Sequence, residues 1–193
     1  MHTSESETTR LWGTFLATLF VELEFAIFVG VFMSIIIYLR YSSKPIVTCC
    51  VPDETHPKRK FICSKGKEQC PQLGILKIDG SIFFGSVDNL EERFRTVKQK
   101  NLLLIFAGVS LIDLAGIDFL KNIMKDKRKD GGDIFISNVN SFVMRKMEKS
   151  GFTRMIGKDH MFESKPEAIP AIIAKLDKEV CKKCQARIFT ECK

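Results

Sequence analysis

NLLLIFAGVSLIDLAGIDFL, residues 101–120, reads as a buried strand, a tight loop and the opening turns of a helix. Leu102, Leu103, Leu104, Ile105 and Phe106 form an unbroken apolar run, the pattern of a strand covered on both faces. Gly108, Val109 and Ser110 are expected to turn the chain. Asp113 then stands where a helix N-cap belongs, because its carboxylate can accept from the free amides of a first turn. Ile117, Leu120 and Met124 follow at helical spacing. A unit of this kind brings backbone N–H groups and a positive helix end to the carboxyl edge of a sheet. Such an edge can bind an anion, and it is equally the ordinary connection of an α/β domain.

The same alternation extends outward. Upstream, Ile75, Leu76 and Ile78 predict one strand and Ile82-Phe83-Phe84 the next, with Asp79-Gly80 between them as a hairpin turn. Val87, Leu90, Phe94 and Val97 line a helix. Downstream, the helix from Asp113 is expected to run to about Lys129 and stop at Asp130-Gly131-Gly132. Ile134-Phe135-Ile136 reads as a buried strand, and Val139, Phe142, Val143 and Met147 as the stripe of a helix ending near Gly151. Met161-Phe162 is a short final strand, and Ile169, Ile172, Ile173 and Leu176 line a last helix. Strands alternating with helices, opened by a hairpin, predict an α/β domain with a mostly parallel sheet of four to five strands and flanking helices.

The N-terminal fifth is different. Residues 1–10 are polar, without hydrophobic periodicity, and are expected to be disordered; they lack the charged n-region of a signal peptide. Residues 11–39 are almost wholly apolar, interrupted by Glu22 and Glu24. One continuous helix of about 29 residues would run about 43 Å against about 30 Å of hydrocarbon, with both glutamates near the midplane. Two short helices, 11–21 and 26–39, bent at Glu22-Leu23-Glu24-Phe25, are favoured: a short transmembrane hairpin that needs neighbouring helices to cover it. A core helix pair of a soluble protein fits poorly, because residues 25–39 show no polar face beyond Gly30 and Ser34. Arg40, Tyr41 and Lys44 mark a membrane–water boundary. Residues 40–69 form a linker in which Ile46-Val47-Thr48 pairs as an edge strand and Lys58-Arg59-Lys60 is a solvated turn or a headgroup contact. The α/β domain then occupies 70–180 and a cysteine-containing tail 181–193.

Charge follows the same division. Residues 1–39 hold one of the 30 basic residues and four of the 23 acidic ones, so 40–193 carry 29 basic and 19 acidic residues, a formal +10. No aromatic-and-basic recognition motif accompanies that excess, so nucleic acid is not expected as a partner. A basic domain after an apolar segment fits the positive-inside rule and an anionic cytoplasmic leaflet, with membrane lipid as the partner.

The seven cysteines are unevenly spaced in a chain large enough for its own core, which argues against a disulfide framework. Cys181 and Cys184 have zinc-like spacing, with Cys192 beyond. A closed metal site would need Cys63 or Cys70 as a fourth ligand, so free thiols are favoured over metal, and metal over a redox pair. His2, His56 and His160 form no cluster with serine or carboxylate partners, and His160 is expected as a surface turn residue. There is no Walker loop, no Rossmann glycine triplet and no HExxH, hence no expectation of an enzyme or of a cofactor.

Asp113-Leu114-Ala115-Gly116, followed by Ile117 and Leu120, resembles the loop–helix signature of STAS domains, the module shared by anti-sigma-factor antagonists and sulfate transporters. CPQLGILKIDGSIFFGS, residues 70–86, resembles the opening strands of that domain in bacterial SulP anion transporters, and residues 14–39 resemble their last transmembrane segments. In anti-sigma-factor antagonists the position of Ala115 is a serine that is phosphorylated; the methyl group here implies that the signature persists without that switch. The resemblance implies a STAS-like fold preceded by a transmembrane hairpin, at the C-terminal end of a transporter of sulfate or a related inorganic anion. Its role would be regulatory and structural, with the STAS domain on the cytoplasmic face of the cell's inner membrane. The implied partners are membrane lipid, the remaining transporter helices and a second copy in a homodimer. The alternative is a free-standing, membrane-anchored STAS module that binds a protein partner. No substrate-binding residue is expected in this chain.

Overall fold

The computed structural model describes residues 5–20, 23–52, 61–64 and 67–192. Glu22, His2, His56 and the Lys58-Arg59-Lys60 run lie outside the described residues. The chain divides into two compact units, Met1–Lys44 and Pro45–Lys193.

The first unit is a pair of packed helices, α1 (Glu5–Phe20) and α2 (Leu23–Ser42). Gly30 of α2 lies against Thr14 of α1, where an added Cβ would stand 3.7 Å from Oγ1. The helix pair is longer than the apolar pattern predicts: α1 takes in residues 5–10, expected as disordered, and α2 continues through Arg40 into the expected linker. Ser43 closes α2, its N–H and hydroxyl both donating to the Leu39 carbonyl. Trp12, Phe15, Phe25, Phe28, Phe32, Ile35 and Tyr38 are all exposed, so the apolar surface of this unit is not covered by its own two helices. The expected hairpin is realised as two helices, and among the described residues no helix is long and apolar enough to cross a membrane.

The second unit is built on a six-stranded mixed sheet, ordered β2-β1-β3-β4-β5-β6. Its strands are β1 (Ile46–Pro52), β2 (Phe61–Cys63), β3 (Leu73–Ile82), β4 (Asn101–Ile112), β5 (Ile134–Ser137) and β6 (Met161–Phe162). β3 to β6 run parallel, whereas β1 is antiparallel to both β2 and β3. The sheet therefore exceeds the expected four to five strands; Ile46-Val47-Thr48 pairs with β3 on one side, while β2 joins the outer side of β1 only at Cys50, Val51 and Pro52.

Two expected turns are corrected. Asp79-Gly80 is no hairpin: β3 passes straight through it, with register shifts on either side and Gly80 at φ +122°. Both edges of β3 are already taken, by β1 and β4, so a folding-back strand would have nowhere to pair. The turn signal is spent on a bulge instead. Gly108-Val109-Ser110 does not turn the chain either, since β4 continues to Ile112. Gly108 pairs with Asp79 at the bulge, and a Cβ there would fall 1.9 Å from the Asp79 carboxylate. That close approach is what the glycine permits.

Helices cover both faces. α3 (Phe84–Arg95), α4 (Leu114–Lys129), α5 (Ser141–Lys149) and the five-residue α6 (Phe152–Ile156) pack one face together with Leu102, Leu104 and Phe106 of β4. α7 (Lys165–Lys175) packs the other, over Leu103 and Ile105, followed by α8 (Lys178–Lys183). The continuous apolar run of β4 thus alternates between two cores, each side chain stabilising the fold by about 1.5–3 kcal/mol relative to exposure.

Candidate functional site

The STAS-like junction lies where β4 hands over to α4, at the carboxyl edge of the parallel strands. Asp113 is extended (φ −110°, ψ −173°) and caps α4, its Oδ1 accepting from the Gly116 N–H at 2.8 Å. Its second oxygen accepts from the Phe84 N–H at 3.1 Å, at the start of α3, and its own N–H donates to the Ile82 carbonyl. Asp113 therefore ties two helix starts together through its carboxylate and holds the end of β3 through its backbone N–H. Gly116 makes that closeness possible: a Cβ would stand 2.6 Å from the Ile82 carbonyl oxygen. Ala115 is half-buried and offers a methyl group, with no oxygen for phosphate. Nearby, the hydroxyls of Ser110 and Ser81 are 3.1 Å apart.

The third helix start is tied to the same edge. Asn140 caps α5 by accepting from the Val143 N–H, and its amide donates to the Val109 carbonyl of β4 at 2.6 Å. Around this edge Phe84 is 76% and Leu114 73% exposed, with Leu111 and Phe142 exposed as well. Phe84 rests edge-on against Phe83 at 5.6 Å. Exposed apolar side chains over capped helix starts suit the docking of another surface; no nucleophile with a paired base is assembled there.

The cysteines are partly gathered. All seven are free. Cys70 is buried in the α7-side core with Leu73, Leu176 and Phe189, and Cys181 and Cys192 pack against that cluster. Of the two candidate fourth ligands, then, Cys70 meets the tail, whereas Cys63 sits on β2 opposite Cys50. Burial pushes the Cys70 and Cys181 thiols upward, away from the thiolate that binds metal, and Gln72 offsets part of this by donating to Cys181 Sγ at 3.2 Å. Cys184 is half-buried at the end of α8. Among the described residues no group of three or more His, Cys, Asp or Glu is arranged to hold a metal ion.

Sequence reasoning missed the surroundings of His160. It is not a free surface turn residue: its side chain is 14% exposed and its ring stacks on Phe135 at 4.7 Å. Nε2 lies 3.1 Å from Asp133, which also takes Arg128 Nε at 3.0 Å. Nδ1 lies 3.0 Å from Asp159, which is paired with Lys175. Hydrogen bonds from Lys175, then His160, hold the Asp159 carboxyl down at about 2. The partners come from four separate elements, so only the adjacent Asp159-His160 pair could have signalled them.

Residues 65–168 match the family model described as the STAS domain, a stretch that starts in the segment before β3 and ends in α7. The chain is 28% identical over 160 residues to "Putative sulfate transporter YvdB" of Bacillus subtilis, covering 81% of this chain and 29% of that protein. It is 30% identical over 113 residues to Sulfate transporter 3.2 of Arabidopsis thaliana, covering 51% of this chain and 18% of that one. The chain thus spans less than a third of the length of these curated relatives. Among solved structures, murine Solute Carrier 26 family member A9, an anion transporter in the inward-facing state, is similar in fold at a TM-score of 0.77 and 20% identity, over 89% of this chain and 29% of that one. A sulfate transporter family protein from Wolinella succinogenes is similar at a TM-score of 0.51 and 22% identity, over 58% of this chain and 93% of that one.

Proposed function

The chain belongs to the STAS domain family and is homologous to SulP-type sulfate transporters, and from that premise we propose that it is the C-terminal regulatory and structural portion of a transporter of sulfate or a related inorganic anion. The observation that carries this reading is the extent of the similarity to the Bacillus subtilis protein, which covers 81% of the chain and so reaches well beyond the STAS match at 65–168. A detached signalling module would need only the STAS domain. The exposed apolar surface of α1 and α2 supports the same reading, because short apolar helices become stable in lipid when neighbouring helices cover them. In this role the helical pair belongs to the membrane part of the transporter, and the basic α/β unit lies on the cytoplasmic side of the cell membrane. The domain acts by contact, without catalysis. Its candidate contact surface is the edge formed by Asp113, Leu114, Ala115 and Gly116 with exposed Phe84, through which it meets the remaining transporter helices or a second copy.

Two helices cannot enclose an aqueous path with their backbone groups satisfied, nor supply the crossed half-helices on which such transporters bind substrate. The complete chain should therefore fractionate with membranes, yet, reconstituted alone into liposomes, take up no more sulfate than empty vesicles. Saturable uptake by this polypeptide alone would overturn the reading.

A further inference from the structure

α5 has two faces of opposite character. Val143 and Met147 are fully buried, while Phe142, Arg145, Lys146 and Lys149, at helical spacing, are exposed. The adjoining α6 buries Phe152 and Ile156 and exposes Arg154 and Met155. The two helices pack against each other, so their exposed residues form one continuous surface. It carries four cations against a single exposed carboxylate, Glu148.

Several basic side chains of this unit are held by carboxylates: Lys121 by Asp118, Arg128 by Asp133, Lys129 by Asp126, Lys175 by Asp159 and Lys182 by Glu179. Among the described residues Arg145, Lys146, Lys149 and Arg154 form no ion pair; Lys146 lies 5.9 Å over the Phe142 ring and meets no carboxylate. Phe142 and Met155, each 45% exposed, stand among these cations.

The geometry points to the α5–α6 surface as a docking site for an anionic phospholipid bilayer, with Arg145, Lys146, Lys149 and Arg154 on the headgroup phosphates and Phe142 and Met155 entering the interface. This rests on the proposed membrane placement of the chain and deepens it. Charge complementarity selects an anionic occupant. The apolar pair among the cations selects a bilayer, because an interfacial helix needs both a basic flank and side chains that reach the acyl boundary. An acidic protein or a nucleic acid would leave Met155 without a role.

The test uses the complete chain in nanodiscs of phosphatidylcholine alone and of phosphatidylcholine with phosphatidylglycerol. Lysines are acetylated with a neutral active ester and read by mass spectrometry, with Lys182 of α8, on the other face of the sheet, as the internal reference. Lys146 and Lys149 should react roughly fivefold more slowly in the anionic discs, about the factor one engaged cation supplies near such a surface, with Lys182 unchanged and the difference removed by high salt. The double variant Arg145→Glu, Arg154→Glu should abolish the difference while the chain still co-elutes with both discs. Equal labelling in the two lipids by a chain that co-elutes with both overturns the inference and leaves the membrane reading standing. A chain that co-elutes with neither overturns both. Protection by added polyglutamate or RNA, but not by phosphatidylglycerol, overturns the bilayer as occupant.

Discussion

Asp113 and Gly116 do different work at the same junction. The Asp113 carboxylate satisfies two otherwise free amides, those of Gly116 and Phe84. Asp113→Ala should lower stability by about 1–2 kcal/mol, the usual loss for an N-cap with a further hydrogen bond. For Gly116, alanine would improve helix propensity by about 1 kcal/mol. Its Cβ, however, would meet the Ile82 carbonyl at 2.6 Å and Ile82 Cγ2 at 2.8 Å, so backbone would have to move. Overpacking of that sort costs about 1–3 kcal/mol, and Gly116→Ala should destabilise despite the better propensity. Urea denaturation of both variants checks this; a stabilised Gly116→Ala would mean the contact relaxes freely. Asp113 as a cap is legible in the sequence, from its position after an apolar run. The need for glycine at 116 is not, because the atom it avoids belongs to a residue 34 positions earlier in the chain.

The elements at the far edge of the sheet are held by charge. Asp133 precedes β5, Asp159-His160 precedes β6, Arg128 is on α4 and Lys175 on α7. Lys175 and His160 keep the Asp159 carboxyl near 2, below its ordinary 3.8. A carboxylate held low in the folded state contributes stability fully above its unfolded pKa and loses it as pH falls through the folded one. The contribution of Asp159 should therefore be complete above about pH 5 and fade toward pH 2. Asp159 is fully exposed, so the effect is screened and small. Thermal melts of the wild type and Asp159→Asn should differ at pH 6 and converge near pH 2. A constant difference across that range would show that the ion pair carries none of it. β6 itself is legible as an apolar pair, yet its anchoring is not: stacking of His160 on Phe135 joins residues that become neighbours only once β5 and β6 pair.

At the scale of the molecule, the described members of both apolar clusters lie within Pro45–Lys193. A polypeptide of residues 45–193 should accordingly be soluble and unfold in one cooperative transition, followed by circular dichroism. A gradual, non-cooperative melt would mean that this unit needs the helices before it. Legible in the chain alone are the strands β4, β5 and β6, the helices α3, α4, α5 and α7, the Asp113 cap, the stop at Gly131 and the apolar character of α2. Each of these depends on residues a few positions apart, where periodicity and capping operate. Local patterns do not foretell that Asp79-Gly80 is a bulge, that β4 runs on to Ile112, that β2 adds to the outer side of β1 at Cys50–Pro52 or that Cys70 meets the tail. Those outcomes depend on which strand edges are already paired and which distant side chain fills a given space, and no local pattern in the chain carries that information.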